Sequence, residues 1–328
     1  MVSRMCIRKV GVLIMARRTI YIGADLGKGY TKVSYCTENS NIEHIDFPTK
    51  WDFFKEGCEG YDNLKIDGDP NGRVIVGDKN CTKSPEEVNI KTDDAHKYAL
   101  YNAIGRVCKA GDEVVLSIGL PIDNISNEES KKSMKNLVKT GKLVFTYNGS
   151  QLTVNIKNVF VFAEAVAVAQ TNPQAREGLV TIIDFGTRNL NLIMIEDGKP
   201  IPDTLKTFQK GFNELKALVE ESLDSDENIR YRKSDIVKYI RQGYVDNQEE
   251  QTRPIINNCF NIYLEDAFSN LGKGKFKDMQ LGKVLVIGGT SILLKDKLKA
   301  KYEDIILSDN DNDLRFANSD AFLKIIKK

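Results

Sequence analysis

Apolar residues along the chain come in short β-rich runs set between stretches with helical spacing, and the two alternate over nearly the whole length. Thr19–Ala24 and Tyr30–Cys36 read as strands joined by the tight polar turn Asp25-Leu26-Gly27-Lys28-Gly29. Arg73–Val76 is a short strand. Lys91–Cys108 reads as a helix, because Tyr98, Tyr101, Ile104 and Cys108 recur at its period. Val114–Ile118 is a buried-type strand closed by Gly119-Leu120-Pro121, and Glu128–Val138 is a helix. Lys142–Tyr147 and Gln151–Ile156 flank Asn148-Gly149, a strong hairpin turn. Val159–Phe162 leads into an alanine-rich helix, Ala163–Gln170, which Pro173 stops.

The second half restarts the scheme. Leu179–Asp184 and Leu190–Ile195 are strands, and Asp197-Gly198 is a turn. Helices follow at Gly211–Leu223, Lys233–Arg241 and Pro254–Leu271. The buried strand Lys283–Ile287 runs into Gly288-Gly289-Thr290-Ser291 and a helix, and Asn318–Ile326 closes the chain as another helix. One repeat organises this list. Ile22-Gly23-Ala24-Asp25-Leu26-Gly27 and Ile182-Ile183-Asp184-Phe185-Gly186 are both apolar strands that end in Asp-x-Gly and turn into a second strand. The expectation is an α/β protein of two similar domains facing each other across a cleft. One covers 19–178 plus the C-terminal segment 316–328, and the other covers 179–315.

Composition narrows the function. A chain of 328 residues suits two domains. Lys plus Arg number 47 and Asp plus Glu 46, so no single-sign field points to nucleic acid or to an anionic membrane. The six cysteines are scattered without a Cys-x-x-Cys pair, and neither His44 nor His96 lies near one, which argues against zinc and for free thiols in a reducing, cytoplasmic setting. No apolar run approaches the roughly 20 residues of a membrane span. Val10–Ala16 is too short for a signal-peptide core and is followed at once by Arg17 and Arg18. Residues 1–18 read as a disordered leader, with Met15 as the native start. Cys259, Met194, Phe160 and Phe162 read as core, His44 and His96 as surface or structural, and Asp309–Asp313 as a solvated loop.

The turns carry the candidate chemistry. Gly27 and Gly29 permit strained dihedrals and bring a ligand close to exposed backbone amides, an anion-binding concavity. Lys32 can reach back to a phosphate, and Asp25 can hold a metal-bound water beside it. The second turn repeats the aspartate and glycine as Asp184 and Gly186, and adds Thr187, Arg188 and Asn189 as donors. Arg188 is either a phosphate clamp or a solvent-facing turn residue. Gly288 and Gly289 precede a helix start, whose amides and dipole favour anions, and they let a flat ring lie on the backbone.

These pieces, in this order, resemble the actin, sugar-kinase and heat-shock chaperone superfamily. There they are the first phosphate loop, the second phosphate loop and the adenosine loop. Phe162–Ala167 resembles the first connecting helix, and Phe316–Phe322 resembles the second. His44–Pro48, Gly72–Gly77, Val115–Pro121 and Phe316-Ala317-Asn318 resemble ParM-type plasmid-segregation actins in particular. Two departures stand out: Thr187-Arg188 replaces a glycine-richer second loop, and no glycine lies at Asp320 or Ala321.

The resemblance implies ATP or GTP as ligand with Mg2+ held through water by Asp25 and Asp184. Nucleotide contacts fall at Asp25, Gly27, Lys28, Gly29, Tyr30 and Lys32, at Asp184, Gly186, Thr187, Arg188 and Asn189, at Gly211, and at Gly288, Gly289, Thr290 and Ser291. It makes Glu164 the residue that orients the attacking water, whereas on sequence position alone a glutamate there only complements a helix dipole. It further implies a head-to-tail filament of this chain with itself, tied to plasmid or phage DNA by a small ParR-type adaptor that supplies the DNA contact. Neither direct nucleic-acid binding nor membrane attachment is expected. The rival within the superfamily is a small-molecule kinase, which ordinarily carries inserted substrate elements that are not evident here.

Overall fold

The computed structural model describes residues 17–85, 91–125, 127–269, 282–301 and 305–328. The proposed leader up to residue 16, including Met15, lies outside them. Arg18 already belongs to the fold. Its guanidinium holds Asp112 at 2.5 and 3.0 Å, and its carbonyl accepts from the Glu113 N–H.

The first sheet is built from β1 (Thr19–Leu26), β2 (Tyr30–Thr37), β3 (Glu43–Pro48), β4 (Trp51–Phe53), β5 (Asn63–Lys65), β6 (Arg73–Val76), β7 (Glu113–Leu120), β8 (Gly141–Tyr147) and β9 (Ser150–Ala163), in the order β3-β2-β1-β7-β9-β8-β5-β6-β4. The second contains β10 (Leu179–Phe185), β11 (Leu190–Glu196), β12 (Lys199–Pro200), β13 (Lys206–Phe208), β14 (Lys283–Ile287) and β15 (Ile305–Ile306). Its order is β12-β11-β10-β14-β15, with β13 also on β11. The described helices are α1 (Asp94–Val107), α2 (Glu128–Asn136), α3 (Val166–Thr171), α4 (Phe212–Asp224), α5 (Ile236–Gln242), α6 (Glu249–Phe268), α7 (Ser291–Lys301), α8 (Asp311–Arg315) and α9 (Ala317–Ile326).

The repeat seen in the sequence is a repeat of topology. β1 pairs antiparallel with β2 and parallel with β7, and β10 pairs antiparallel with β11 and parallel with β14. Asp25 sits opposite Lys32 in the first hairpin, and Asp184 sits opposite Asn191 in the second. Each aspartate is therefore at the carboxyl end of a central strand beside a parallel neighbour, where open α/β sheets place their ligands.

One apolar cluster fills the first sheet's side and a second lies under β10, β11 and β14. A third joins them, in which Ala165, Ala167 and Val168 meet Val180, Ile182, Leu285 and Phe322. α9 lies across β1 and β7 because two strand positions lack side chains. A β-carbon at Gly23 would overlap the Ser319 carbonyl, and one at Gly119 would come within 2.8 Å of the Phe322 ring. The first turn of α9 is tied down by Asp320, whose Oδ1 accepts from Ser34 Oγ at 2.5 Å and lies 2.8 Å from His44 Nε2. That carboxylate occupies a place where the resemblance led us to expect glycine.

Several boundaries differ from the sequence reading. β9 runs unbroken through both predicted strands and on to Ala163, because its β-branched and aromatic residues stay paired with β7 as far as Leu120. The expected helix Ala163–Gln170 starts only at Val166. α1 starts at Asp94 with Asp93 as its cap, which leaves Lys91 outside the helix. α6 begins at Glu249 and contains Pro254 rather than starting there. Phe160 is 40 % exposed, not core, since it stacks on Phe162 and it is Phe162 that packs on Phe322 of α9. Asp311 and Asp313 belong to the short helix α8, capped by Asn310. His96 is fully buried against Asp93, and His44 stacks on Phe316, so both histidines are structural.

Candidate active site

The two hairpins meet. A β-carbon at Gly29 would overlap the Thr187 side chain, so only glycine allows the first turn to approach the second this closely. They are braced differently. Thr49, fully buried, donates from Oγ1 to the Gly27 carbonyl at 2.5 Å, and its N–H bonds the Gly29 carbonyl at 3.0 Å. The second hairpin rests on the start of α4. The N–H groups of Gly211, Phe212 and Asn213 bond the carbonyls of Arg188, Gly186 and Thr187 at 3.1, 3.1 and 2.9 Å. From the other side, Thr290 donates to the carbonyls of Phe185 and Gly186.

Between the hairpins lies a cavity of about 60 Å³. Asp25, Gly27, Lys28, Tyr30, Lys32, Glu164, Asp184, Gly186, Thr187, Arg188 and Asn189 all line it, joined by Lys91, Pro121 and Asn191. Gly29 does not line it, being packed on Thr187. Gly211 stands behind the second hairpin with its N–H already engaged. Ser291 is fully buried and bonds the Gly288 carbonyl. Gly289 faces open space, and Gly288, at φ 95°, packs so tightly on Asp184 and Phe185 that no side chain fits. Of the four residues expected to form an adenosine loop, only Gly289 faces open space, while Gly288, Thr290 and Ser291 hold the turn.

Glu164 sits at the break between β9 and α3, not in a first helical turn. The break is sharp because Ala165 has φ 59°, unusual for a residue with a side chain. Asn318, in the first turn of α9, holds it. Its Oδ1 accepts from the Ala165 N–H at 2.9 Å, and its Nδ2 donates to Asp184 Oδ2 at 2.8 Å. One amide thus links the two connecting segments to the second aspartate.

Asp25, Glu164 and Asp184 are all buried, yet their environments differ. Burial pushes the Asp25 carboxyl up, but attraction to Lys32, then Lys91, outweighs it and holds Asp25 below its ordinary value. Burial dominates at Glu164 and at Asp184, and both are pushed up despite opposing lysines. Lys28 is pushed down to about 8, first by burial and then by the charges of Lys91 and Arg188. Lys91 and Lys32 are pushed down by burial but more strongly up by their carboxylates.

The residues fit a magnesium–nucleotide. Asp25 and Asp184 would supply the one or two carboxylates that magnesium uses alongside phosphates and water. Among the described residues no three metal-binding side chains converge into a free-standing site. Asn189 lines the cavity, and its Oδ1 is a buried atom without a hydrogen-bond partner among the described residues.

Residues 23–166 match the family model of the actin-like proteins' N-terminal domain. Ta0583, an archaeal actin homologue solved with ADP, superposes with a TM-score of 0.74 at 18% identity, over 94% of this chain and 99% of that one. The chain has the actin fold. A ParM from Bacillus thuringiensis, solved with ATP, gives a TM-score of 0.69 at 19% identity, covering 94% and 98% of the two chains. A ParM from Clostridium botulinum, solved as a 15-stranded filament, gives 0.69 at 15%, covering 95% and 99%. No curated protein matches the sequence. At these identities the likeness speaks for the fold, and the site must be argued from its own residues.

Lys91, Asn318, Pro121 and Asn191 are the site residues that the sequence reading left out. The signal for Lys91 was present: Thr92-Asp93-Asp94 is a helix start, with Asp93 as its cap, which puts Lys91 before the helix rather than in it. Asn318 lay within the recognised second connector, but nothing in spacing shows that its amide spans two segments.

Proposed function

We propose that the chain binds and hydrolyses ATP or GTP with Mg2+ in this cleft and assembles head to tail into dynamic filaments that segregate plasmid or phage DNA. The observation that carries the reading is the convergence of Asp25, Asp184 and Glu164, from two equivalent hairpins and a connector, on one cavity with Lys28 and Lys32. The bound magnesium would neutralise phosphate charge. The chain's own parts do the rest. The Gly27 N–H is taken by the Asp25 carbonyl at 3.0 Å, so the turn lends phosphate oxygens the amides that follow it, Lys32 adds a point charge, and Arg188, in the cavity wall, serves as a phosphate clamp. Glu164 orients the attacking water and takes its proton, a role suited to a carboxyl whose burial raises its affinity for a proton. Head-to-tail stacking that does not close gives open filaments. The near-neutral charge leaves the DNA contact to a small ParR-type adaptor.

The test pairs phosphate release with light scattering in ATP and in GTP. Glu164→Ala should still bind nucleotide and assemble, while hydrolysis slows by roughly 10²–10⁴, the usual effect of losing a positioned general base. Its filaments should outlast those of the wild type. Phosphate release at the wild-type rate would remove Glu164 from the chemistry. Scattering that stays flat in both nucleotides, with phosphate passed to a small molecule, would favour the kinase instead.

A further inference from the structure

Lys91 belongs to neither hairpin and neither connector, yet its ammonium lies at the centre of the site. It is 5 % exposed, 3.6 Å from Asp25 Oδ1, and in closer contact still with Glu164 Oε1. Asp25's other oxygen is held by Lys32 at 3.1 Å. Lys91 therefore cross-links the carboxylate expected to face hydrated magnesium and the one expected to orient water. A buried lysine is costly unless paired, and so are two buried carboxylates sharing one cavity. Each makes the other tolerable. While Lys91 holds Oε1, that oxygen is not available to a water.

We infer that Lys91 is a tethered counterion. It fills the place of a cation between Asp25 and Glu164 while the cleft holds no nucleotide, and it gives way when magnesium–nucleotide arrives. The inference rests on reading this cleft as the nucleotide site. Its consequence is order. A ligand that brings its own divalent cation to Asp25 removes half of what holds Lys91, and only then is Glu164 released to position water. Binding precedes the arming of the base, so an empty cleft keeps its carboxylates neutralised without taking up free metal.

Melting curves of the nucleotide-free protein, with and without millimolar magnesium chloride, test this. The wild type should be insensitive to the metal. Lys91→Met keeps the length and removes the charge. It should melt lower without magnesium, and magnesium alone should raise its Tm by about 2–4 °C, as a newly opened cation site would. Lys91→Arg should behave as the wild type does. A Lys91→Met protein indifferent to magnesium, or a wild type that responds equally, would overturn the counterion role. So would a Lys91→Arg protein as unstable as Lys91→Met, since shape rather than charge would then be at issue. Should Lys91→Met fail to fold, adding Glu164→Gln removes one charge of the opposite sign and should restore folding, and a double variant no better than the single would count against the idea. Calorimetry of the wild type with magnesium-ATP and magnesium-GTP separates the two levels: no binding would sink the nucleotide reading whatever the melting curves show.

Discussion

The two hairpins share a plan and differ in what surrounds the aspartate. Asp25 lies among cations, with Lys32 and Lys91 both within 3.6 Å. Asp184 receives an uncharged donor, the Asn318 amide, at 2.8 Å. The same strand-end geometry thus yields one carboxyl held below its usual range and one pushed above it. Their supports differ in kind as well. The first turn hangs on the hydroxyl and N–H of one buried residue, Thr49, and the second on three backbone amides at the start of α4 and on Thr290. A duplicated backbone therefore fixes where a charge stands, and the neighbours that each copy acquired decide whether it is kept. Two groups driven apart in this way can serve different tasks at one phosphate chain.

The sharpest way to break this contrast is to neutralise the first aspartate. Asp25→Asn strips Lys32 of its hydrogen-bonded partner and Lys91 of one of two, inside a buried cluster. Breaking a buried pair costs about 3–5 kcal/mol, and the nucleotide-free Tm should fall accordingly. The pH dependence has a definite sign. A carboxyl whose folded value is depressed contributes stability at pH above its unfolded value, and this is lost as pH falls through the folded one. The wild type should therefore lose stability on acidification below the ordinary aspartate range, and Asp25→Asn should lose less there. Equal acid sensitivity in the two would show that the lysines do not stabilise Asp25.

Asn318→Ala comes next. It leaves the Ala165 N–H and Asp184 Oδ2 without their partner. Unsatisfied buried groups cost about 1–3 kcal/mol. Because Ala165 is held at positive φ beside Glu164, the loss should also slow hydrolysis more than it weakens nucleotide binding. A variant with lowered Tm but unchanged hydrolysis would make Asn318 a structural link only.

Asp184→Asn should go the other way. Its carboxyl is raised, so the folded state holds the proton more tightly, and stability falls as pH rises from the unfolded value through the folded one. Above that window the ionised carboxyl opposes folding. The amide should give a small rise in nucleotide-free Tm together with weaker magnesium–nucleotide affinity. A fall in Tm would mean that the Asp184 charge supports the fold, and the contrast with Asp25 would collapse.

How far this was legible in the sequence depends on the kind of contact. The Asp-x-Gly ends of β1 and β10 are local signals, since strand, carboxylate and turn glycine are adjacent, and the duplication made them visible. Asn148-Gly149 was legible for the same reason, and both residues have the positive φ that the turn requires. The end of β9 was not. Alanines suggested a helix from Ala163, but pairing with β7 overrode that propensity and moved Glu164 from a helix turn to a strand end. Lys91 and Asn318 were missed because their partners lie 73 and 134 residues away, at Glu164 and Asp184, and no periodicity reports such contacts. Gly211 shows the same limit, because a glycine before a helix looks the same in sequence whether its amide is free for a phosphate or bonded, as here, to the carbonyl of Arg188.

The smallest effect falls on Lys28, which belongs to the first hairpin yet feels the second through Arg188. Burial and two neighbouring cations push its ammonium down to about 8. A bound phosphate would favour the charged form and raise that value again. Nucleotide affinity should then weaken as pH rises past 8, by about threefold between roughly pH 7.5 and 8.5, since proton uptake must accompany binding. The empty protein should respond with the opposite sign. With the folded value below the unfolded one, the unfolded chain holds more protons between the two, so this group's contribution makes the empty fold more stable as pH climbs from 8 toward the ordinary lysine range. Lys28→Arg carries a charge that does not titrate there and should show a flat affinity profile. Calorimetric titrations of both proteins with magnesium-ATP at several pH values, beside nucleotide-free melting curves, measure the two trends together. A wild-type affinity as flat as that of Lys28→Arg would mean that Lys28 does not reach the phosphates. The first hairpin would then act through Lys32 and its backbone amides alone, and the charge contrast between the hairpins would narrow to their aspartates.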